Sequence, residues 1–272
     1  MRKRILFATV IVAILFAIFG AVAWAQGVLT SIRSDALVVC ASDAYEATHC
    51  DYTTDGVADE VQIQQALNTR KSVRLTEGTF RLSNSIVMKS GTSLEGAGWG
   101  LGPQYSMGGT RLTQSASFDM FINEHMGTPT IDDYISLSDM WLDCDTPEGL
   151  PGASCIRFGR VAVVTLERLI INSPGVNGLE IVGYSLTQPA FAIYADTLEM
   201  ARADVAAIKL SYVIASKFSN INYTGASPAQ YGIYLDSYVK NVEWNNLYLE
   251  LADITAAIYI MNDVSNNFFT NT

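Results

Sequence analysis

A short strand-like tetrapeptide returns five times between Cys155 and Ile260, and that return limits the folds open to the chain. CIRF starts at Cys155, GLEI at Gly178, AIKL at Ala207, GIYL at Gly232 and AIYI at Ala257, at intervals of 23, 29, 25 and 25. Each runs small, apolar, variable, apolar. Strand alternation turns the apolar residues inward and sets Arg157, Glu180, Lys209, Tyr234 and Tyr259 outward. A second row, Met140, Leu169, Leu198, Ile221, Leu247 and Phe268, recurs at intervals of 29, 29, 23, 26 and 21. Self-similarity at a period of about 25 residues, with strand alternation, defines a solenoid in which one coil cannot bury its apolar face alone. Just before the second row, FSNI, WNNL and SNNF align Asn220, Asn246 and Asn267 at one turn, which predicts an asparagine ladder.

The repeat is unbroken, so the 272 residues predict one elongated domain rather than two. Apolar residues make up 49%, enough for a continuous core. Eight coils from Val73 onward, stacked at strand spacing, predict a rod of roughly 40 Å. The pattern stops in mid-coil at 267–272, which predicts further chain, a missing domain or a second subunit over that end.

The segment from Met1 to Ala25 reads as an export signal. Arg2, Lys3 and Arg4 precede an apolar run from Ile5 to Ala23, and Ala23-Trp24-Ala25 offers a cleavage site before Gln26. The run is long for a signal peptide, so the alternative is an uncleaved membrane anchor. Export suits two local disulfides, Cys40 with Cys50 and Cys144 with Cys155, each closing a loop of about ten residues for roughly 2–3 kcal/mol. Removing the leader leaves 14 basic against 27 acidic residues, a net of −13. That balance excludes nucleic acid as a partner and obliges a polyanion to find a bridging cation or a local basic patch.

Between leader and repeat, Ala36 to Cys40 reads as a strand and Asp59 to Asn68 as an amphipathic helix. Asp59 stands at the N-cap with Gln62 as its capping-box partner, while Ile63, Ala66 and Leu67 form the apolar stripe. Such a helix suits the role of a cap on the open first coil. SVRL, GTFRL, SIVM, TSLEG and TRLT then alternate as short strands broken by turn residues. Gly96 to Gly100 reads as a tight corner, since no periodic helix follows it.

The stretch from Val39 to Leu112, with DGVADEVQIQQALN, the GTF strand and the LEGAG turn, resembles the N-terminal part of the pectate-lyase-like (pectin lyase fold) superfamily. The resemblance implies an all-β, right-handed parallel β-helix with an N-terminal capping helix, a fold used by polysaccharide lyases, hydrolases, epimerases and phage tailspikes. Family catalytic segments are missing: there is no Asn-Thr-Asp, Gly-His-Gly or Asp-His segment. Fold does not by itself decide function.

Two groups of residues offer chemistry. The outward row of Arg157, Glu180, Lys209, Tyr234 and Tyr259 suits sugar rings, with stacked aromatics beside hydrogen-bonding charges; the plainer alternative is a solvated ion-paired ladder, since exposed ion pairs are common and weak. In LSDMWLDCD, Asp143 and Asp145 lie two apart, as an acid/base pair or a Ca²⁺ site would need, with Trp141 outward beside them. Asp is also a routine turn residue. His49 and His125 read as loop residues. The sequence thus predicts an exported β-helix that engages extracellular polysaccharide, either cleaving it through Asp143 and Asp145 or binding it as an adhesin-like or structural rod.

Overall fold

A computed structural model describes residues 36–45, 49–99, 109–145, 152–225, 230–251, 255–261 and 263–271. The leader lies outside them. From the amino end, β1 (Leu37–Cys40), β2 (Tyr52–Thr53), one helix α1 (Glu60–Thr69), β3 (Ser72–Leu75), β4 (Gly78–Leu82) and β5 (Ile86–Met88) lead into β6 (Ser93–Glu95), β7 (Thr110–Gln114) and β8 (Phe121–Asn123). Long and short strands then alternate: β9 (Asp132–Asp143), β10 (Ile156–Phe158), β11 (Val161–Asn172), β12 (Asn177–Val182), β13 (Ala190–Ala201) and β14 (Ala206–Ser211). The pattern continues through β15 (Val213–Gly225), β16 (Tyr231–Leu235), β17 (Lys240–Leu251), β18 (Ala256–Ile260) and β19 (Phe268–Thr270).

All named strands pair in parallel, and successive coils supply successive strands. One sheet runs β5-β8-β10-β12-β14-β16-β18; the other holds the long strands with β1, β3 and β6 before them and β19 after them. This is a parallel β-helix. In the early coils β6 and β7 are separate strands against the two halves of β9. Later coils fuse the halves into one bent strand, and the bend is a single residue with left-handed backbone: Asp139, Arg168, Thr197, Asn220 and Asn246, with φ between 51° and 60°. A second left-handed stack, Tyr134, Val163, Ala192, Ala215 and Asn241, turns each chain into its long strand.

Inside, identical sheet positions stack side chains coil on coil. Val73, Leu94, Leu137, Leu166, Ala195, Phe218, Trp244 and Phe269 form one inward row. Its aromatic end is stacked, with ring centroids 4.4 Å apart for Phe218–Trp244 and 5.9 Å for Trp244–Phe269. Each fully buried member contributes about 1.5–3 kcal/mol. The small residue opening each repeat also has a steric cause. A Cβ on Gly178 or Gly232 would stand 2.7 Å from the carbonyl oxygen of Ala207 or Ala257 in the next coil.

The second row holds register from Met140 through Leu247, but Phe268 does not belong to it: Phe268 pairs with Glu243. The asparagine ladder shifts with it. Asn246 donates to Asn220 at 2.7 Å and Asn220 to Asp196 at 2.8 Å. The next left-handed position is Asn271, whose carbonyl accepts from Leu247, whereas Asn267 bonds the Val239 and Val242 backbone instead. At the other end of this corner stack Arg168 grips Asp139 through two bonds of 2.6 Å. That grip raises the guanidinium's pKa and lowers the carboxyl's.

Helix α1 buries Glu60, Ile63, Ala66 and Leu67 and packs on β1, β3 and β5. Asp59 does not cap it. The Asp59 carboxylate accepts from Gly56 N at 2.9 Å and Arg81 N at 2.7 Å, clipping the helix entry to β4. Glu60 likewise holds Ser83 through its backbone and hydroxyl. Gln64 exchanges two hydrogen bonds with the backbone of Val87, in the edge strand β5. Gly96 and Gly98 donate to Ser138 and Asp139 carbonyls, making the expected tight corner. Both disulfides form as read, with Cα separations of 5.7 Å for Cys40–Cys50 and 5.6 Å for Cys144–Cys155.

A β-branched residue is poorly suited to the left-handed corner, at a cost of roughly 1–2 kcal/mol that Asn largely avoids. Val163 holds φ 51° there, whereas Asn241 fills the equivalent corner of a later coil. Val163→Asn is therefore expected to raise the urea midpoint, by about 1 kcal/mol of stability. A lower midpoint would mean that Val163 packing outweighs backbone strain.

Candidate functional site

The backbone register sets the outward row in one line. Arg157 pairs with Glu180, Glu180 with Lys209, Lys209 with Tyr234 and Tyr234 with Tyr259. Glu180 is the tie in the middle, its side chain only 8% exposed. It accepts from Ser154 Oγ at 3.1 Å and Asn177 Nδ2 at 3.2 Å, and pairs with Lys209 Nζ at 3.2 Å and Arg157 Nε at 3.4 Å. A buried carboxylate needs such partners, and these four leave it little capacity for a ligand. Lys209 also lies 5.8 Å from the Tyr234 ring centroid.

Tyr231 joins the row although alternation places it on the opposite face from Tyr234. Its strand begins with a shared acceptor: Gln230 N and Tyr231 N both bond Val205 O. The coil before it does the same with Val205 N and Ala206 N on Val176 O, and the coil after it with Thr255 N and Ala256 N on Gln230 O. Tyr231, Tyr234 and Tyr259 cluster, with ring centroids 4.8–5.4 Å apart. Burial first, then the charges of Asp236 and the neighbouring tyrosines, raise the Tyr234 pKa, so its hydroxyl stays protonated and donates to Met261 Sδ.

Trp141 and Asp143 lie in the other sheet, away from this row. Arg111 pairs with Trp141 in register, sits 5.3 Å from its ring centroid and grips the Asp143 carboxylate. Asn172 donates to the other Asp143 oxygen at 3.1 Å. Asp145 follows buried Cys144 and is exposed; its charge acts on Asp204, whose carboxyl burial and then Asp145 push up. Ca²⁺ takes six to eight oxygen ligands, and a carboxylate already closed by a guanidinium and an amide does not fit that demand.

One constellation has no signal in the sequence pattern. Asp132, fully buried at the start of β9, accepts from His125 Nδ1 at 2.8 Å, His125 N at 2.8 Å, Asn123 Nδ2 at 2.7 Å and Ser90 Oγ at 3.3 Å. Asn123 in turn accepts from Gly159 N at 2.6 Å. Asp132 so holds the imidazole with Nδ1 inward. Glu124 completes a cluster with the geometry for a metal ion, yet it pairs with Lys89 at 3.6 Å, and the Asp132 oxygens are filled by donors. Hydrogen-bond hub describes it better than metal centre.

No family model and no curated protein matches the sequence. Among solved structures, a protein named as a putative glycosyl hydrolase from Parabacteroides merdae aligns with a TM-score of 0.53 and 16% identity, over 71% of this chain and 89% of its own. The A-module of the mannuronan C-5 epimerase AlgE6 from Azotobacter vinelandii aligns with a TM-score of 0.59 and 16% identity, over 74% of this chain and 55% of its own. At such identity the likeness is one of fold. It bears out the parallel β-helix that the resemblance to the pectate-lyase-like group implied.

The hub has a defined pH signature. Its hydrogen bond to Asp132 raises the His125 pKa above 6.5 although desolvation opposes it. Burial pushes Asp132 up, but the bonds from the His125 ring, the His125 backbone and Asn123 together bring it below 3.8. By linkage, the His125 contribution is complete below about 6.5 and is lost as pH rises through the raised folded value. The Asp132 contribution is present above about 3.8 and is lost as pH falls through the depressed value. Ring-proton NMR is expected to show His125 titrating above 6.5, and at or below it in Asp132→Asn. Equal titration in both proteins would contradict the hub.

Proposed function

We propose that this chain is an exported polysaccharide-binding β-helix whose ligand lies across β10, β12, β14, β16 and β18. The observation that carries the reading is the straight row from Arg157 to Tyr259, ending in three clustered tyrosines. Five stacked strands present it over roughly 20 Å. Aromatic faces with hydrogen-bonding hydroxyls and flanking cations suit the apolar faces and hydroxyl rims of sugars. Glu180 acts here as the tie that positions Arg157 and Lys209, not as a reacting group. The names of the two structural neighbours, a hydrolase of glycosides and an epimerase of mannuronan, favour a carbohydrate partner. The disulfides and the basic-apolar leader favour an extracellular address. Within this reading the coils wind right-handed and α1 caps the first of them.

How the acids are held supports binding over cleavage: Glu180 and Asp143 each carry a cationic partner. Affinity electrophoresis against a panel of neutral and acidic polysaccharides tests the surface. Tyr234→Ala and Tyr259→Ala are each expected to weaken retention about tenfold, the equivalent of 1.4 kcal/mol, while Trp141→Ala leaves it unchanged. The reverse result moves the ligand to the Trp141 face. New reducing ends that vanish in Asp143→Asn would make the protein an enzyme.

A further inference from the structure

Beside the start of the row, three turns from successive coils enclose a pocket of about 250 Å³. The turn after β8 brings Thr128, the turn after β10 brings Arg160 with Arg157 from the middle of that strand, and the turn after β12 brings Gly183 and Tyr184. No carboxylate lines it. Its lining thus carries two arginines on a chain of net charge −10. Arg157 is shared loosely with Asp119 and Glu180, both at 3.4 Å. Arg160 forms no ion pair among the described residues, and its buried Nε has no hydrogen-bond partner.

We infer that this pocket is an oxyanion site that takes a single sugar unit carrying a carboxylate or sulfate group. A buried guanidinium N–H without an acceptor is a donor awaiting one, and the planar guanidinium suits both groups through paired hydrogen bonds. The volume falls below the range of drug-sized ligand sites, about 300–1,000 Å³, yet exceeds what a bare ion needs. A Cβ on Gly183 would lie 2.3 Å from the Tyr212 carbonyl oxygen, so glycine lets this turn pack against the next coil. Tyr184 is fixed beside it, its N–H donating to Gln188 O at 2.9 Å in a small antiparallel turn, and its ring is half-exposed at the mouth. Arg157 belongs to both pocket and row. An anionic sugar anchored in the pocket would therefore lie at the head of the row, which deepens the polysaccharide reading by naming the charged unit.

Titration calorimetry on the full chain tests the site with D-glucose 6-sulfate, D-glucuronate, D-glucose and inorganic sulfate. Both anionic sugars are expected to bind, more weakly as salt rises, and glucose not to bind. Arg160→Gln is expected to weaken them at least tenfold. Thr128→Glu, which sets a negative charge at the mouth without emptying the pocket, is expected to do the same, with melting temperature and circular dichroism unchanged in both. Trp141→Ala, in the other sheet, should leave this affinity intact, and polysaccharide retention by Tyr234→Ala reads failure of the tyrosine row separately. The inference is overturned if neither anionic sugar binds, if glucose binds equally, or if both variants keep wild-type affinity. Inorganic sulfate binding as tightly as the sugar sulfate would overturn the ring-sized occupant.

Discussion

Parallel backbone pairing between coils is the constraint on which the rest of this molecule depends. Each long strand bonds the strand of the coil before it and the coil after it, and those bonds fix which side chains stand above one another. The chain can return to the same register only if every coil turns its corners alike. Single residues in the left-handed region do that, once at the entry of each long strand and once at its middle. Asn and Asp tolerate that backbone readily, whereas Val163 and Thr197 occupy it only because the neighbouring coils dictate it. A straight row of outward side chains is thus a product of corner geometry rather than of the row's own residues.

Constant register also decides where charge can be buried. Glu180 and Asp132 lose most of their water, and each is met by four donors drawn from adjacent coils or turns. Removing one partner from such a group is costly, since the remaining charge is left uncompensated. These carboxylates hold their neighbours in place. Arg160 is the opposite case: a cation at the surface of a turn, with a buried donor and no acceptor. Satisfied groups position the surface, whereas Arg160 keeps a donor unused.

Much of this was legible in the sequence, and the misses have physical causes. The tetrapeptide repeat placed all five row residues in register, because spacing acts directly on backbone pairing, but not the burial of Glu180. Asn267 and Phe268 are misplaced by motif likeness alone, since SNNF copies the earlier segments while the backbone sets Asn271 above Asn246 and Phe268 above Glu243. Tyr231 was missed because alternation sets it on the opposite face from Tyr234, although the two rings meet at 5.1 Å. Asp59 carries a cap residue's identity, but the strand β4 offered its carboxylate a better use in Arg81 N. His125 and Asp132 stand seven residues apart around an irregular turn, where no periodicity announces the contact.

The central claim is that ligand follows the sheet of short strands. The most direct measurement is a crystal structure of the chain from Gln26 with an oligosaccharide cut from the polysaccharide it retains best. Sugar density lying across β10 to β18, over Tyr234 and Tyr259, is the expected result. Density over Trp141 and Asp143, with the tyrosine row bare, would contradict the account.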